Sequence, residues 1–383
     1  MNKKNKIVHY VSSGILILYL LIALLSSFIA GDRPIICLKD GKITFPLLNA
    51  TTGMSSADHS VCLMPLIPYA VNTIDPQFKM GISPLDHRQS GMIRYRHWMG
   101  TDKLGRDVTS GMIHGTEVAL KIGFLSVFFS FLFGVSLGLA AGYYQDTTLK
   151  AGLIQMIVTI MIVLIGMYYM WMELLVFRYQ LFLFFLGCIF LLCLIILINK
   201  LFHKYNTSKR YPIPLDLLIV KMIEIRKSFP GVFLLLALIS IFSVPSVWNI
   251  VLIITILGWA DFARLARGET IALKNENYIT TARVLGFGSK KIIFRHILPN
   301  IMPTLIVAIC FSIGSAILLE STLSFLGVGL PVEEVSWGKM MAEGRNLKYW
   351  WLVVFPGLAI LILIMALNSV ASRWQKANFT LFS

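Results

Sequence analysis

The stretch ENYITTARVLGFGSKKIIFRHILPN, residues 276–300, lies between two long apolar runs and decides which fold we expect for this chain. Apolar or aromatic side chains recur in it at helical spacing, which predicts a short helix. They are Tyr278, Ala282 and Leu285, with Ile279 beside them. Gly286 follows the last of them, in the position that glycine favours just past the C-terminus of a helix.

A second short helix is expected after this glycine turn. Gly288 loosens the turn, and Ser289 has the side chain of a helix N-cap. Basic residues follow, and Pro299 is expected to close this helix before the next apolar run begins. Residues 276–299 therefore predict a projecting helix pair, and the plainest interpretation of it is a surface element with a solvated basic face.

The composition of the chain places these helices on a membrane protein. Of its 383 residues, 57% are hydrophobic and 14% are charged, whereas a soluble domain has about 25% charged residues. The net charge of +15 would suggest a nucleic-acid partner in a soluble protein. In a membrane protein the same basic charge sets the orientation of the spans, so no nucleic-acid partner is expected.

Uncharged runs long enough to cross a bilayer, about 20 residues each, can be read directly from the sequence. Six of them are Val11–Ala30, Ile122–Ala141, Ala151–Met172, Tyr179–Asn199, Ile301–Leu319 and Tyr349–Ser372. A seventh helix is predicted from about Leu215 to Ile241 and an eighth from about Val247 to Ala263, separated by the turn at Ser243. The first run could also be a signal peptide, but its length favours an uncleaved span.

The basic residues orient these eight spans. The loop Arg264–Pro299 has seven basic residues and two acidic ones, and Gly31–Ser110 has nine basic and seven acidic residues over a much greater length. We therefore expect the loop Arg264–Pro299 and both termini on the cytoplasmic side, and Gly31–Ser110 outside. The expected divisions are 1–30, 31–117, 118–144, 145–214, 215–372 with the inner loop 264–299, and a tail over 373–383.

Neither the cysteines nor the histidines suggest a metal site. Cys188, Cys193 and Cys310 fall in apolar runs, while Cys37 and Cys62 lie in the outer segment, where either a disulfide or two free thiols could occur. The outer histidines are best interpreted as solvated loop residues. They are His59, His87, His97 and His114.

Catalytic and nucleotide-binding motifs are also absent from the sequence. It has no Gly-x-x-x-x-Gly-Lys-Ser/Thr loop for a nucleotide, no His-Glu-x-x-His and no Gly-x-Ser-x-Gly. An enzyme is therefore not expected.

Three further features are candidates for packing or for a pathway. Gly134, Gly138 and Gly142 form a small-residue stripe, which serves packing within the chain or between subunits. Glu320, with Ser321 and Ser324 beside it, is an acid at the end of a span, and it is either a functional group or a carboxylate that reaches water.

The segment Asp102–Thr116 is a third candidate, because it places Leu104, Val108 and Met112 on one face. This spacing predicts an amphipathic helix at the outer interface. The simpler role for such a helix is to anchor the chain at the membrane surface. The more specific role is to shape an outer vestibule that receives the substrate.

The strings Tyr278-Ile-Thr-Thr-Ala-Arg-Val-Leu-Gly286 and Arg295-His-Ile-Leu-Pro-Asn300 resemble the EAA loop of ABC importer permeases. Thr280, Thr281 and Ala282 take the Glu-Ala-Ala places, so the acid of the family pattern is missing. Two other strings are similar to the C-type permease of dipeptide and oligopeptide importers of the Opp and Dpp kind. They are Met99-Gly-Thr-Asp-Lys-Leu-Gly-Arg-Asp-Val108 and Glu320-Ser-Thr-Leu-Ser-Phe-Leu-Gly-Val-Gly329, the latter followed by Ser336-Trp-Gly338. The outer string Ala30-Gly-Asp-Arg-Pro-Ile, with Thr44-Phe-Pro-Leu-Leu48, resembles the Yej-type branch of these permeases.

This resemblance implies an all-α, polytopic inner-membrane protein with the type I ABC importer permease fold and about eight transmembrane helices. It implies a second permease subunit, two ATPase subunits that bind ATP and Mg, and an extracytoplasmic solute-binding protein as partners; the chain itself binds no cofactor. The implied ATPase-coupling residues are Glu276, Tyr278, Thr280, Thr281, Ala282, Gly286, Arg295, Leu298 and Pro299. The substrate class, whether peptide, nickel chelate or antibiotic, stays open.

The segment 145–214 departs from the family plan, because it inserts the two spans Ala151–Met172 and Tyr179–Asn199. Two extra spans leave the sidedness of the later loops unchanged. Without a polar face, this hairpin is expected to face lipid at the periphery. An ion-coupled secondary transporter or channel is the alternative function, although the mid-span charges and inverted repeats typical of that class are not evident.

Overall fold

The computed structural model describes residues 3–39, 42–44, 61–75, 81–84, 86, 96–146, 150–152, 210–241, 245–331 and 333–382, with isolated residues at 161, 162, 166 and 187. The chain divides into two compact units. One unit comprises Met1–Leu139 and Ile223–Ser383, and the other comprises Ala140–Met222. The prediction of a mostly helical, polytopic membrane protein is confirmed.

Helices make up most of the first unit. In chain order they are α1 (Lys3–Leu24), α2 (Ser26–Ile29), α3 (Val108–Tyr144), α4 (Leu215–Ser228), α5 (Gly231–Ile241), α6 (Val247–Lys274), α7 (Asn277–Val284), α8 (Ser289–Ile292), α9 (Leu298–Phe325), α10 (Trp337–Leu347) and α11 (Trp350–Phe382). A π-helical turn, Ile293–Ile297, joins α8 to α9. The helices α3 and α4 each cross the boundary between the two units.

Four helical segments among the described residues are long and apolar enough to cross a bilayer. They are Val108–Tyr144, Val247–Lys274, Ser289–Phe325 and Trp350–Gln375. They contain the predicted runs Ile122–Ala141, Val247–Ala263 and Ile301–Leu319 and most of Tyr349–Ser372. The run Val11–Ala30 becomes a shorter apolar helix, Tyr10–Leu24. The predicted hairpin spans Ala151–Met172 and Tyr179–Asn199 lie almost wholly outside the described residues.

The single helix predicted from Leu215 to Ile241 is wrong. The segment forms two helices, α4 and α5, which are separated at Phe229 and Pro230. Proline has no backbone N–H, and its ring pushes the preceding residue out of the helical region, so the helix ends before it. The apolar part, Gly231–Ser240, is too short by itself to cross a bilayer of about 30 Å.

The amphipathic helix predicted for Asp102–Thr116 is also wrong, because α3 begins only at Val108 and continues into the span. The residues before it form a turn in which the Asp102 carboxylate accepts hydrogen bonds from the backbone N–H of Leu104, at 2.8 Å, and of Arg106, at 2.9 Å. Asp107 then accepts from the Ser110 N–H at 2.7 Å and caps α3. Short polar side chains that bond to nearby N–H groups compete with a helix, which is why the helix starts late.

Among the described residues, five short strands accompany the helices. In the first unit, β1 (Ile36–Lys39) pairs antiparallel with β2 (Lys42–Thr44) and with β3 (Val61–Leu63), in the order β2-β1-β3. In the second unit, β4 (Lys150–Gly152) pairs antiparallel with β5 (Arg210–Pro212). These strands are a departure from the all-α fold that we expected. Each has only three or four residues, which is too short for the alternation of apolar and polar side chains to stand out in the sequence.

A disulfide joins the two strands β1 and β3. Cys37 and Cys62 lie opposite each other in the pairing register and form the bond that the sequence left open. The Cys37 side chain is fully buried, so the bridge lies on the inner face of the sheet.

Replacing Cys37 by Ser is expected to loosen this sheet by about 3 kcal/mol, because the bridge closes a loop across a sequence separation of 25 residues. Hydrogen exchange of the β1 and β3 amides in the purified protein measures the effect, with Cys310→Ser as the control that removes a thiol without breaking a bridge. Unchanged protection of β1 in Cys37→Ser would contradict the expectation.

The helices of the first unit pack around α9 and α11. The α11 helix contacts α9, α10 and α1, and the Tyr19 hydroxyl of α1 donates a hydrogen bond to the Ala359 carbonyl of α11 at 3.0 Å. A buried apolar cluster of Leu235, Ile253, Leu257 and Leu323 joins α5, α6 and α9. This core fixes the two spans, α6 and α9, that carry the predicted helix pair between them.

Candidate functional site

The helix pair between α6 and α9 turns at Gly286, and we call residues 276–297 the Gly286 hairpin. Gly286 has a left-handed backbone, with φ of 78°. Its N–H bonds to the Arg283 carbonyl at 3.0 Å, and the Phe287 N–H bonds to the Ala282 carbonyl at 3.1 Å. These two hydrogen bonds form a Schellman motif, in which glycine is the preferred residue. The prediction that Gly286 ends the first helix is therefore confirmed.

The second arm of the hairpin differs from the expectation in two ways. Gly288, with extended backbone, is the N-cap of α8, and Ser289 is the first helical residue, so Ser289 does not cap the helix. Pro299 does not close the arm either, because the helix continues through it; Pro299 lies in the first turn of α9, just after the π-helical turn. The arm runs through the π-helical turn into the span and forms one continuous helix over Ser289–Phe325.

One face of the hairpin is buried within the chain. Ile279 and Ala282 are 0% and 5% exposed, and Ile292, Ile293 and Ile297 are buried on the second arm. Ala282, one of the coupling residues that the resemblance implies, therefore points inward. Helical spacing groups it with Tyr278 and Leu285, but residues at this spacing spread over a broad arc of so short a helix.

The opposite face of the hairpin presents apolar side chains to the outside. Val284 is 87% exposed, Leu285 68%, Phe294 66% and Tyr278 42%. Sequence reasoning missed Val284 and Phe294, because only the tertiary packing shows which side of each arm is covered. Exposed apolar side chains of this kind are typical of interaction surfaces, and the same hairpin carries the basic residues Arg283, Lys290, Lys291 and Arg295.

Polar and aromatic contacts hold the two arms together. The Asn300 amide donates to the Tyr278 hydroxyl at 3.1 Å and to the His296 carbonyl at 2.8 Å. The Phe287 ring stacks on His296 at 6.1 Å between centroids, and the Lys291 ammonium lies 3.8 Å from the Phe287 centroid. The hairpin is thus tied to the start of α9 and is suited to move with it as one body.

The other predicted coupling residues have modest local roles. The exposed hydroxyls of Thr280 and Thr281 donate to the Asn277 carbonyl at 2.8 and 2.9 Å. Glu276 is the N-cap of α7 but makes no side-chain cap bond. Leu298 is half-buried at the start of α9.

Glu320 is fully buried near the other end of α9, so the interpretation that it reaches water is wrong. Its carboxylate accepts hydrogen bonds from the hydroxyls of Ser324, at 2.8 Å, and Ser321, at 3.3 Å. Ser336, the N-cap of α10, supplies a further side-chain hydrogen bond. The three serines therefore stabilise this buried acid, and they fasten α10 onto α9.

The helix α10 lies close against α9 because Gly338 has no side chain. A Cβ at Gly338 would lie 2.2 Å from the Ser321 carbonyl oxygen. Lys339, the next residue, donates to the Pro331 carbonyl and, at 2.9 Å, to the Glu334 carbonyl. Burial lowers the pKa of the Lys339 ammonium group, and the carboxylates of Glu334 and Glu333 oppose that shift.

The glycine stripe on α3 serves packing within the chain. A Cβ at Gly134 would lie 2.3 Å from the Trp259 carbonyl oxygen, and a Cβ at Gly138 would lie 2.4 Å from that of Ala263. Both neighbours are on α6, so α3 and α6 touch backbone to backbone here. Gly142 is buried as well.

The interpretation of His97 as a solvated histidine is wrong. Its side chain is fully buried, its Nδ1 lies 2.9 Å from the Asp107 carboxylate, and its ring stacks on Tyr69. His114 is half-buried, and its Nε2 lies 3.0 Å from the Ala30 carbonyl oxygen. His59 and His87 lie outside the described residues. In the part of the chain that is described, no three His, Cys, Asp or Glu side chains are grouped as metal ligands.

Residues 207–379, which include α4 to α10 and most of α11, match the family described as binding-protein-dependent transport system inner membrane component. This segment, just under half of the chain, is similar to a permease domain of that family. The permease is 28% identical to the dipeptide transport system permease protein DppC of Alkalihalophilus pseudofirmus, over 73% of this chain and 71% of that protein. It is also 28% identical, with the same coverage, to the glutathione transport system permease protein GsiD of Pectobacterium atrosepticum.

Among solved structures, the inward-facing MetNI methionine ABC transporter matches with a TM-score of 0.44 and 14% sequence identity. This match covers 70% of the permease and 95% of that chain. The family and the curated relatives identify the protein as the membrane component of an ABC importer, and the alternative of a secondary transporter is wrong. The matched family comprises inner-membrane components, in agreement with the four candidate spans among the described residues.

Proposed function

We propose that this permease is one of two membrane subunits of an ATP-driven importer for peptides or related small solutes. The relatives named for dipeptide and glutathione transport support that substrate class. In this proposal the permease forms half of the translocation pathway, and its partners are a second homologous permease, two ATPase subunits and an extracytoplasmic solute-binding protein. The permease is not catalytic and binds no cofactor; ATP and Mg are held by the ATPase subunits.

The observation that carries this proposal is the exposed apolar face of the Gly286 hairpin. Val284 and Leu285 lie at the tip of the hairpin and are among its most exposed apolar side chains. A protein that leaves such groups in water pays a hydrophobic cost of about 25 cal/mol per Å² unless a partner covers them. The hairpin lies between two spans, so a partner that moves it also moves α6 and α9.

The proposed mechanism depends on the direct connection between the hairpin and the span α9. The second arm and the span form one helix over Ser289–Phe325, so a displacement of the hairpin is transmitted along α9 to Glu320 and α10. When the ATPase subunits close around ATP, the hairpin moves with them and tilts the attached spans, which opens the pathway alternately to each side. In this proposal the hairpin and both termini lie on the cytoplasmic side, which the excess of basic residues in the loop supports.

The test is to purify the permease from its native membrane and identify the subunits that accompany it. We expect a P-loop ATPase to copurify and reconstituted vesicles to take up a dipeptide only with ATP and the binding protein. Uptake driven by an ion gradient, without a copurified ATPase, would overturn the proposal.

Replacing Val284 and Leu285 together by Ser is expected to weaken ATPase binding about 10- to 100-fold, because two exposed apolar side chains leave the interface. The measurement is the affinity of the purified ATPase for the permease pair in nanodiscs. Leu66→Ser is the matched control, because Leu66 is 80% exposed but belongs to the segment assigned to the other side of the membrane. Unchanged affinity in the double variant would place the docking surface elsewhere.

A further inference from the structure

The helix α6 carries charged side chains at a depth that lies inside the membrane. The helix is uncharged from Val247 to Ala260, and Asp261 is the first charge along it. At about 1.5 Å per residue this uncharged part is about 21 Å long. The hydrocarbon layer that a span must cross is thicker, about 30 Å. Asp261 and Arg264 therefore fall inside that layer, toward its inner side.

These two side chains are nevertheless open on the surface of the permease. Asp261 is 54% exposed and Arg264 is 67% exposed. Charged groups at such a depth do not face lipid; they face protein or a water-filled path. The face of α6 that carries them is thus directed toward the interior of the transporter.

The cluster around Asp261 has an excess of positive charge. Its carboxylate lies 2.8 Å from the Lys227 ammonium, 3.6 Å from the Arg264 guanidinium and 4.0 Å from the Arg226 guanidinium. One carboxylate against three cations leaves about two positive charges uncompensated within the cluster. Arg264 is the most exposed of the three cations, and its guanidinium is suited to bind a carboxylate through two parallel hydrogen bonds.

A cavity of about 540 Å³ opens beside this cluster, between α6 and α9. Asp261, Arg264 and Glu269 line it from α6, Ala308 and Ser312 line it from α9, and Gly268 forms part of its wall. The volume falls within the range of small-molecule sites, about 300–1,000 Å³. The cavity thus has one cationic and two anionic side chains in its lining. Because the Asp261 carboxylate already lies 3.6 Å from Arg264, Glu269 is the anionic group that faces a ligand.

The opposite charges of Arg264 and Glu269 match the two ends of a zwitterion. Both residues line the cavity, and they are five positions apart, about 7.5 Å along the helix axis before the reach of their side chains is added. An extended dipeptide reaches about 7 Å from its ammonium to its carboxylate end, at about 3.5 Å per residue. We propose that this cavity binds the transported solute as a zwitterion, with Arg264 receiving the carboxylate and Glu269 the ammonium group; this rests on the proposed import of peptides.

The test uses the full transporter complex, without its binding protein, and three probes: dialanine, its C-terminal amide and its N-acetyl derivative. Saturation-transfer NMR measures the affinity of each probe. Arg264→Gln is expected to weaken dialanine about tenfold and to leave the amide unchanged, because the amide has no carboxylate to lose. Glu269→Gln is expected to weaken dialanine to a similar extent and to leave the N-acetyl derivative unchanged.

A second variant tests the cavity without changing a charge. A Cβ at Gly268 would meet nothing within 4 Å, so Gly268→Leu fills the cavity without a backbone clash. It is expected to weaken all three probes. Gly231→Leu, at a glycine that is equally open, is the control and is expected to leave them unchanged.

The outcomes separate this inference from the proposed function. If the wild-type complex imports dialanine with ATP but does not bind it in this assay, or if Arg264→Gln weakens all three probes equally, the cavity is not the solute site. The second pattern would indicate that the Asp261 cluster is a contact with the second permease. If the wild-type complex imports no dialanine, the proposed substrate class fails and the inference fails with it.

Discussion

Replacing Gly286 by Val is expected to uncouple ATP hydrolysis from uptake and to lower solute uptake at least tenfold, with the permease still in the membrane. Gly286 has φ of 78°, a conformation that a β-branched residue adopts only at a cost of about 1–3 kcal/mol. The chain relieves this strain by opening the turn, so the Schellman bonds at Ala282 and Arg283 are lost. The hairpin then no longer moves as one body with α9.

Gly288→Val is the matched control for this experiment. Gly288 has φ of −65°, and a Cβ there would meet nothing within 4 Å, so valine fits at a small N-cap cost. ATP hydrolysis and uptake are measured together in proteoliposomes that contain all subunits. Full uptake in the Gly286 variant, or an equal loss in both variants, would show that the turn does not transmit the motion.

Replacing Gly134 by Ala is expected to destabilise the helix packing by about 3 kcal/mol, although it adds only one methyl group. The new Cβ would lie 2.3 Å from the Trp259 carbonyl oxygen and 2.7 Å from the Phe262 Cβ. Because the nearest neighbour is backbone, no rotamer change relieves the clash, and α3 must move away from α6. The hydrogen bond from the Ser130 hydroxyl to the Thr255 carbonyl, at 3.3 Å, joins the same two helices and weakens with it.

The measurement is the thermal unfolding midpoint of the detergent-solubilised permease, together with its yield in the membrane. Gly14→Ala in α1 is the control, because a Cβ there meets nothing within 4 Å and alanine favours a helix over glycine. We expect a clear fall in the midpoint for Gly134→Ala and none for Gly14→Ala. Similar midpoints for the two variants would mean that α3 does not touch α6 at this glycine.

The small-residue stripe shows how much a sequence pattern can specify. The four-residue spacing of Gly134 and Gly138 predicts close helix packing, but it does not name the partner helix. The partner, α6, is more than a hundred residues away along the chain, and its choice depends on the fit of whole helix surfaces. The same limit applies to Glu320, whose three serine partners come from two helices, α9 and the start of α10.

Local sequence chemistry determined the features that depend on neighbouring residues. Long uncharged runs specify the spans. In a bilayer no water is available to the backbone, so the N–H and C=O groups of such a run must bond to each other within one helix. The Gly286 turn is specified because glycine alone adopts its backbone angle without strain. Pro230 separates α4 from α5 for an equally local reason, although the apolar run around it suggested one continuous helix.

Tertiary structure alone decided which faces are covered. It buried His97 and Glu320, turned Ala282 inward while Val284 stayed exposed, and placed Arg264 and Glu269 on one cavity. These outcomes depend on contacts between elements far apart in the chain, and a residue type constrains them only weakly. The sequence of this permease therefore determined its class and the turn of the Gly286 hairpin, whereas long-range packing decided which side chains are buried and which stay exposed.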